Sequence, residues 1–245
     1  MSNSINNRKR ILVTGSSRGL GLEFVKQFLH KGNFVIASSR KPQEYLELKR
    51  LKTDYKDNFF IVELDVSDKE SRKQAFDIIS KEMDGLDLLI NNAGIRFGGE
   101  KYNDELGKLE KEDFCKIFQV NTVAPLMMTE KFLPLLNKGE DSKVINISSN
   151  SGCISKRSRK GGGYSYSSSK AALNMITKAL SVELAEKGII VVSLHPGWVK
   201  TTMEYTENAP LMPEESVKGL VKVIESLNME DTGKFMDWQG NELPW

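Results

Sequence analysis

The sequence predicts a single doubly wound α/β domain, with a parallel seven-stranded sheet and helices on both faces. Three observations point there. Short apolar runs alternate with longer helical patterns along the chain. The runs, such as Ile11-Leu12-Val13 and Ile189-Ile190-Val191-Val192, are apolar without interruption, as strands covered on both faces must be. No linker, internal repeat or low-complexity block breaks the rhythm, and 245 residues suit one domain with a sizeable core. Right-handed crossovers between parallel neighbours then wind such a chain to both sides of its first strand.

Residues 1–9 are polar and basic and read as a loose tail, leaving 10–245 as the domain. Strands are expected at 10–14, 33–38, 59–63, 87–91, 143–148, 189–194 and 234–236. The 35 basic residues nearly balance the 33 acidic ones, which argues against a general nucleic-acid binder. No apolar stretch is long enough for a membrane span, and the run at 11–13 is too short for a signal-peptide core. Two cysteines and two histidines make neither a disulfide framework nor a zinc spacing, so no metal is expected and a reducing, cytoplasmic compartment is.

Between the first strand and the first helix lies Thr14-Gly15-Ser16-Ser17-Arg18-Gly19-Leu20-Gly21. Gly15 suits a tight turn, Gly19 a close approach of backbone to a pyrophosphate at a helix N-terminus, and Gly21 close packing of helix on sheet. Glycines occur in many turns, but this place, directly after strand one, is that of a Rossmann dinucleotide fingerprint. The second strand ends Ser38-Ser39-Arg40, with no carboxylate to accept a ribose 2′-hydroxyl. Arg18 and Arg40 are instead placed to pair with a 2′-phosphate, which selects NADP(H) over NAD(H). Asp65 and Val66, after strand three, suit the adenine. Asn91-Asn92-Ala93-Gly94 suits the ribose, its small residues admitting close approach and its asparagines bridging strands.

Tyr166 and Lys170 are four apart in a helical run and share a face. A free tyrosine titrates near 10, so proton exchange at neutral pH requires a lowered pKa, which a nearby ammonium favours. A tyrosine and lysine at this spacing are common in any helix; their company is not. Ser149 follows a strand whose C-terminal end is where open α/β sheets carry ligands, and it can bond a substrate oxygen. Tyr164 has Ser168 rather than a lysine one turn on, and is assigned to packing or the pocket wall. Asn121 lies four residues before Pro125, which has no N–H, so its carbonyl loses the usual helical donor and is free to bind a water linked to Lys170.

Thr14-Gly15 with Gly19 and Gly21, Asn91 to Gly94, Asn121, Ser149, Tyr166 with Lys170, and Pro196-Gly197 with Thr201 together resemble the short-chain dehydrogenase/reductase family. The resemblance implies Tyr166 as acid/base, Lys170 and Asn121 as its supports, and Ser149 as carbonyl binder. It further implies hydride transfer from the pro-S face of the nicotinamide, a carboxamide held by Pro196, Gly197, Val199 and Thr201, and a homodimer or homotetramer. Residues 193–201 and 233–245 are similar to the C-factor and sniffer carbonyl reductase branch. The expected activity is reversible reduction of an aldehyde or ketone with NADPH, a regulatory dinucleotide-binding protein of the C-factor type being the alternative. Tyr166 follows Ser149 by more than the family's common spacing, and the extra length falls in the basic, glycine-rich stretch 156–163. That stretch reads as a solvated loop, recruitment of an acidic substrate being the other reading. Ile95-Arg96-Phe97 suggests a partly apolar wall bearing one charge, Met127 and Met128 read as core or interface fillers, and His195 as structural.

Overall fold

The computed structural model describes residues 8–96, 106–158, 163–203 and 208–245. Its strands are β1 (Arg10–Thr14), β2 (Phe34–Ser39), β3 (Phe59–Glu63), β4 (Leu88–Asn91), β5 (Lys143–Ile147), β6 (Ile190–His195) and β7 (Phe235–Asp237). They form one parallel sheet in the order β3-β2-β1-β4-β5-β6-β7. The predicted doubly wound sheet is therefore present, with strand boundaries shifted by a residue at several ends. Asn33 stays out of β2 because its amide serves the backbone of Lys9 and Phe28. Asp87 stays out of β4, its carboxylate taken by Arg10 and by the Glu140 N–H.

The helices are α1 (Gly19–His30), α2 (Leu46–Asp54), α3 (Lys69–Glu82), α4 (Lys111–Phe118), α5 (Ala124–Leu136), α6 (Tyr164–Leu184) and α7 (Pro213–Ser226). Alternate strand residues feed two cores, because successive side chains point to opposite faces. Ile11 and Val13 of β1 pack with Phe24 and Phe28 of α1, Leu48 of α2 and Leu220 of α7. Leu12 joins Ile79 of α3, Phe132 of α5 and Leu184 of α6 on the other face. Three helices thus cover each face, and the sheet's order reverses at β1 and β4. The C-terminal ends of those two strands diverge into the crevice where such sheets bind ligands.

Candidate active site

The turn leaving β1 is set by contacts rather than by glycine content alone. Gly15 has φ +67°, and a Cβ there would sit 2.9 Å from the Cα of Ala93. Ser16 is fully buried: its hydroxyl donates to the Val13 carbonyl (2.6 Å) and accepts from the Ser38 N–H (3.2 Å), joining the ends of β1 and β2. With Ser16 committed inward, Arg18 turns out to solvent as the N-cap of α1 and makes no side-chain capping bond. The positive end of α1 is left facing the crevice. Arg40 is likewise exposed at the end of β2, while the neighbouring Ser39 hydroxyl is buried with no partner among the described residues.

Asn92 closes the other side of the crevice. Its Nδ2 donates to the carbonyls of Thr14 (2.9 Å) and Gly15 (3.1 Å), and the Thr14 hydroxyl accepts from the N–H groups of Asn92 and Ala93 (3.0 Å each). Asn91 bridges to β5 through Asn146 (2.9 Å), and Asn146 continues to Thr177 of α6. The asparagines therefore do link strands, as the sequence predicts. Asp65 accepts from the N–H and hydroxyl of Ser67, so its carboxylate is oriented locally, and Asp68 rather than Asp65 caps α3. Val66 is buried beside the α3 and α5 core.

The four expected reacting residues converge. Gly152 allows the turn after Ser149 to press on α6, since a Cβ there would lie 2.7 Å from the Lys170 carbonyl carbon. Ser149 is set beside the hydroxyl of half-buried Tyr166, where it favours the ionised phenol. Lys170 is buried, donates from Nζ to the Ile147 carbonyl (2.8 Å), and lies 5.8 Å from the centre of the Tyr166 ring. Gly94 sits between Asn121 and Lys170: a Cβ there would be 3.4 Å from Asn121 Oδ1 and 3.8 Å from Lys170 Nζ.

The electrostatics differ from the simple expectation of a lysine lowering its tyrosine. Burial pushes the Tyr166 phenol above its ordinary value, opposed by the charge of Arg96 and by the Ser149 hydroxyl. Burial also lowers the Lys170 ammonium to about 8. Desolvation penalises the charged form of both groups, so it moves them in opposite directions, the phenol up and the ammonium down.

Asn121 occupies a π-helical stretch, Gln119–Val123, joining α4 to α5, in which the Ala124 N–H reaches back to the Gln119 carbonyl. Pro125 accounts for the irregularity, because it offers no N–H to the Asn121 carbonyl. The Asn121 side chain accepts from the Ile95 N–H and donates to the Ile95 carbonyl, both at 2.8 Å, and also donates to Ser169 Oγ (3.2 Å). Ser169 in turn donates to the Tyr166 carbonyl (2.7 Å). Sequence reasoning missed this second use of Asn121, along with Ser169 and its partner Thr122. It treated Arg96 only as a wall charge, whereas its guanidinium carbon lies 5.1 Å from the centre of the Tyr166 ring.

Beyond β6, the Pro196 carbonyl accepts from Ser216 of α7 (2.6 Å), and Gly197 has φ +86° with the Trp238 ring where a Cβ would go. Val199 is buried and bridges to Leu211, and Thr201 lies across from Gly19, 3.7 Å from where its Cβ would stand. This segment thus comes back to the N-terminus of α1. Met128 is core, whereas Met127 lines a groove between α3 and α5. Cys153 is buried, its thiol near Ser155 Oγ and the Trp245 carbonyl. Tyr164, half-buried, opens α6. Phe97 of the expected wall and residues 159–162 of the basic stretch lie outside the described residues, as do 98–105 and 204–207. Among the described residues no group of acidic, His or Cys side chains could hold a metal, and no helix is long and apolar enough to cross a membrane.

Residues 9–211 match the short chain dehydrogenase family. The chain belongs to that family. A short-chain dehydrogenase of this length is paralleled by an uncharacterized oxidoreductase of Schizosaccharomyces pombe, 34% identical with 97% of this chain and 98% of the relative covered. The C-signal protein of Myxococcus xanthus is 39% identical over 65% of this chain and 93% of its own length. Among solved structures, the NADPH-bound carbonyl reductase from chicken fatty liver superposes with a TM-score of 0.90 at 38% identity, covering 97% of this chain and 99% of that one. Carbonyl reductase Sniffer of D. melanogaster gives 0.91 at 33% identity, covering 98% and 100%. These likenesses bear out the resemblance to the C-factor and sniffer branch.

Proposed function

We propose that this short-chain dehydrogenase reduces an aldehyde or ketone with NADPH, reversibly, using Tyr166 as acid and base. The observation that carries the reading is the convergence of Ser149, Tyr166 and Lys170, with the Lys170 ammonium 5.8 Å from the Tyr166 ring centre, at the C-terminal ends of β4 and β5 beside the glycine turn.

The residues fit a dinucleotide. An uncapped helix N-terminus and glycines whose Cβ atoms would strike neighbouring backbone form a cradle for a pyrophosphate. Gly15, Ser17, Gly19, Leu20 and Gly21 would hold it, with Arg18 and Arg40 on the 2′-phosphate. Asp65 and Val66 would meet the adenine, and Asn92, Ala93 and Gly94 a ribose. Pro196, Gly197, Val199 and Thr201 would take the carboxamide, and Tyr166 and Lys170 the nicotinamide ribose. When bound, the nicotinamide supplies hydride chemistry.

The chain's own residues then handle the proton. Ser149 bonds the substrate oxygen and steadies its developing negative charge, and Tyr166 delivers a proton to that oxygen. Lys170 holds a positive charge behind the phenol, and the Asn121 carbonyl anchors a water through which the proton is replaced. Alcohol oxidation runs the same transfers backwards. Both cysteines are free, in keeping with a reducing cytoplasm. Exposed Met175 and Val182, seven apart on α6, offer an apolar stripe for a homodimer or homotetramer.

The test is oxidation of NADPH measured across a panel of small aldehydes and ketones. Turnover that falls by about 10²–10⁴ in Tyr166→Phe, with cofactor binding retained, is the expected result. The likeness to C-signal favours one other reading, a regulatory dinucleotide-binding protein. It predicts tight NADPH binding with negligible oxidation across the panel, and a biological effect that survives Tyr166→Phe.

A further inference from the structure

We propose that Arg96 is a further positioning residue of the proton-transfer site, its guanidinium held against the Tyr166 ring so as to steady the phenolate. This rests on the reading of Tyr166 as the acid and base. The guanidinium carbon stands 5.1 Å from the ring centre, within the range at which a cation is attracted to an aromatic face. The contact is anchored at both ends by one side chain. Asn121, fully buried, takes both backbone polar groups of Ile95, the residue before Arg96. It also bonds Ser169, whose hydroxyl donates to the backbone carbonyl of Tyr166. Arg96 and Tyr166 are therefore brought together by a shared buried amide.

The surroundings give that charge its effect. From its own helix Tyr166 is approached by Lys170, whose Nζ is turned to the Ile147 carbonyl. The Ser149 turn offers a neutral hydroxyl, and the π-helical stretch a neutral amide. Arg157 bonds Ser167, one residue further along α6, and His195 at the end of β6 is kept neutral by burial near neutral pH. The charge of Arg96 joins that of Lys170 at the phenol, and it favours the phenolate. Lys170 loses its proton near pH 8, whereas a guanidinium stays charged throughout the alkaline range. Arg96 thus maintains a positive field in the conditions under which an alcohol is oxidised and Tyr166 must act as base.

Tyrosine labelled with carbon-13 at the ring ζ position allows titration of the cofactor-free protein by NMR, the Tyr166 signal being assigned by its loss in Tyr166→Phe. Arg96→Met, which keeps the length and removes the charge, is expected to move that titration up by about one pH unit, a tenfold loss of phenolate at a given pH. Arg96→Lys restores most of it. The pH profile of kcat for alcohol oxidation, measured alongside, should shift in the same direction with KM little changed. A Tyr166 titration and a kcat profile both unmoved in folded Arg96→Met overturn the proposal. So does a rise in KM alone, which would make Arg96 a substrate contact. Full turnover in Tyr166→Phe would instead remove the acid–base assignment, while the NMR titration still judges the Arg96 contact by itself.

Discussion

Gly21 of α1 lies directly against the carbonyl of Gly15, so close that a Cβ at Gly21 would overlap that oxygen and come within 2.5 Å of Asn92 Nδ2. Asn92 Nδ2 is the donor that closes the crevice onto Thr14 and Gly15. Gly21→Ala must therefore push α1 off the sheet or break the Asn92 bonds, at a cost of about 1–3 kcal/mol or more. Gly19 offers the contrast. Its φ of +55° strains any other residue, but the nearest atoms to an added Cβ are 3.7 Å away, on Thr201. Gly19→Ala should cost only about 1–2 kcal/mol. Urea unfolding should rank Gly21→Ala as the less stable variant, and NADPH titration followed by fluorescence should show it losing the greater share of affinity.

Removing the Asn121 amide strands two backbone groups at once. Asn121→Ala leaves the Ile95 N–H and carbonyl without their partners, at about 1–3 kcal/mol for an unsatisfied buried group. It also releases Ser169 and with it the tie to the Tyr166 carbonyl. Turnover should fall by at least about tenfold, a loss of roughly 1.4 kcal/mol in the transition state, together with a lower unfolding midpoint. Asn121→Asp separates the two effects. It keeps the acceptor for the Ile95 N–H, loses the donors, and sets a carboxylate across Gly94 from Lys170, where it would raise the ammonium above its value of about 8. Steady-state kinetics over pH should show the alkaline limb of that variant displaced upward.

The sheet and the residues converging on Tyr166 were legible in the sequence because they rest on local rules. Apolar runs such as Ile11-Leu12-Val13 can only be strands covered on both faces, and a four-residue spacing fixes Tyr166 and Lys170 on one helical face. What could not be read was long-range hydrogen bonding. Nothing local says that Asn121 would hold Ile95, 26 residues away, or that Ser16 would be buried to join β1 to β2. The sign of the Tyr166 shift was hidden for the same reason, since desolvation depends on how much protein surrounds the phenol rather than on its neighbours in sequence. The signal for Arg96 was present as a cation just after the Asn91 to Gly94 turn, but its contact needed the π-helical stretch to set the backbone.

Arg18 and Arg40 stand exposed on adjoining turns, one at the mouth of α1 and the other beyond β2. Charge-assisted bonds of guanidinium to phosphate contribute about 1.5–3 kcal/mol each. Arg18→Ala with Arg40→Ala should weaken NADPH binding by roughly a hundredfold, equivalent to about 2.7 kcal/mol, and leave NADH binding nearly unchanged. Dissociation constants for both cofactors by calorimetry check this. Equal losses for the two would show that the arginines do not read the 2′-phosphate.

His195 closes β6 opposite Asp237 of β7, with Nδ1 buried and unpartnered among the described residues. Burial lowers its pKa from 6.5 to about 4, Asp237 opposing that only in part. An unfolded chain takes up this proton near pH 6.5, while the native state refuses it down to about 4. In that window the unfolded state binds more protons, so stability is full above 6.5 and is lost as pH falls toward 4. The loss reaches about 3 kcal/mol from this one group. Other carboxylates titrate in the same range, so the informative quantity is the difference between wild type and His195→Gln, which has no such proton to bind. Unfolding free energies measured from pH 7 down to 4 should fall more steeply for wild type by up to one proton's worth of slope. Parallel curves would mean that His195 takes up its proton as readily in the native state as in the unfolded chain.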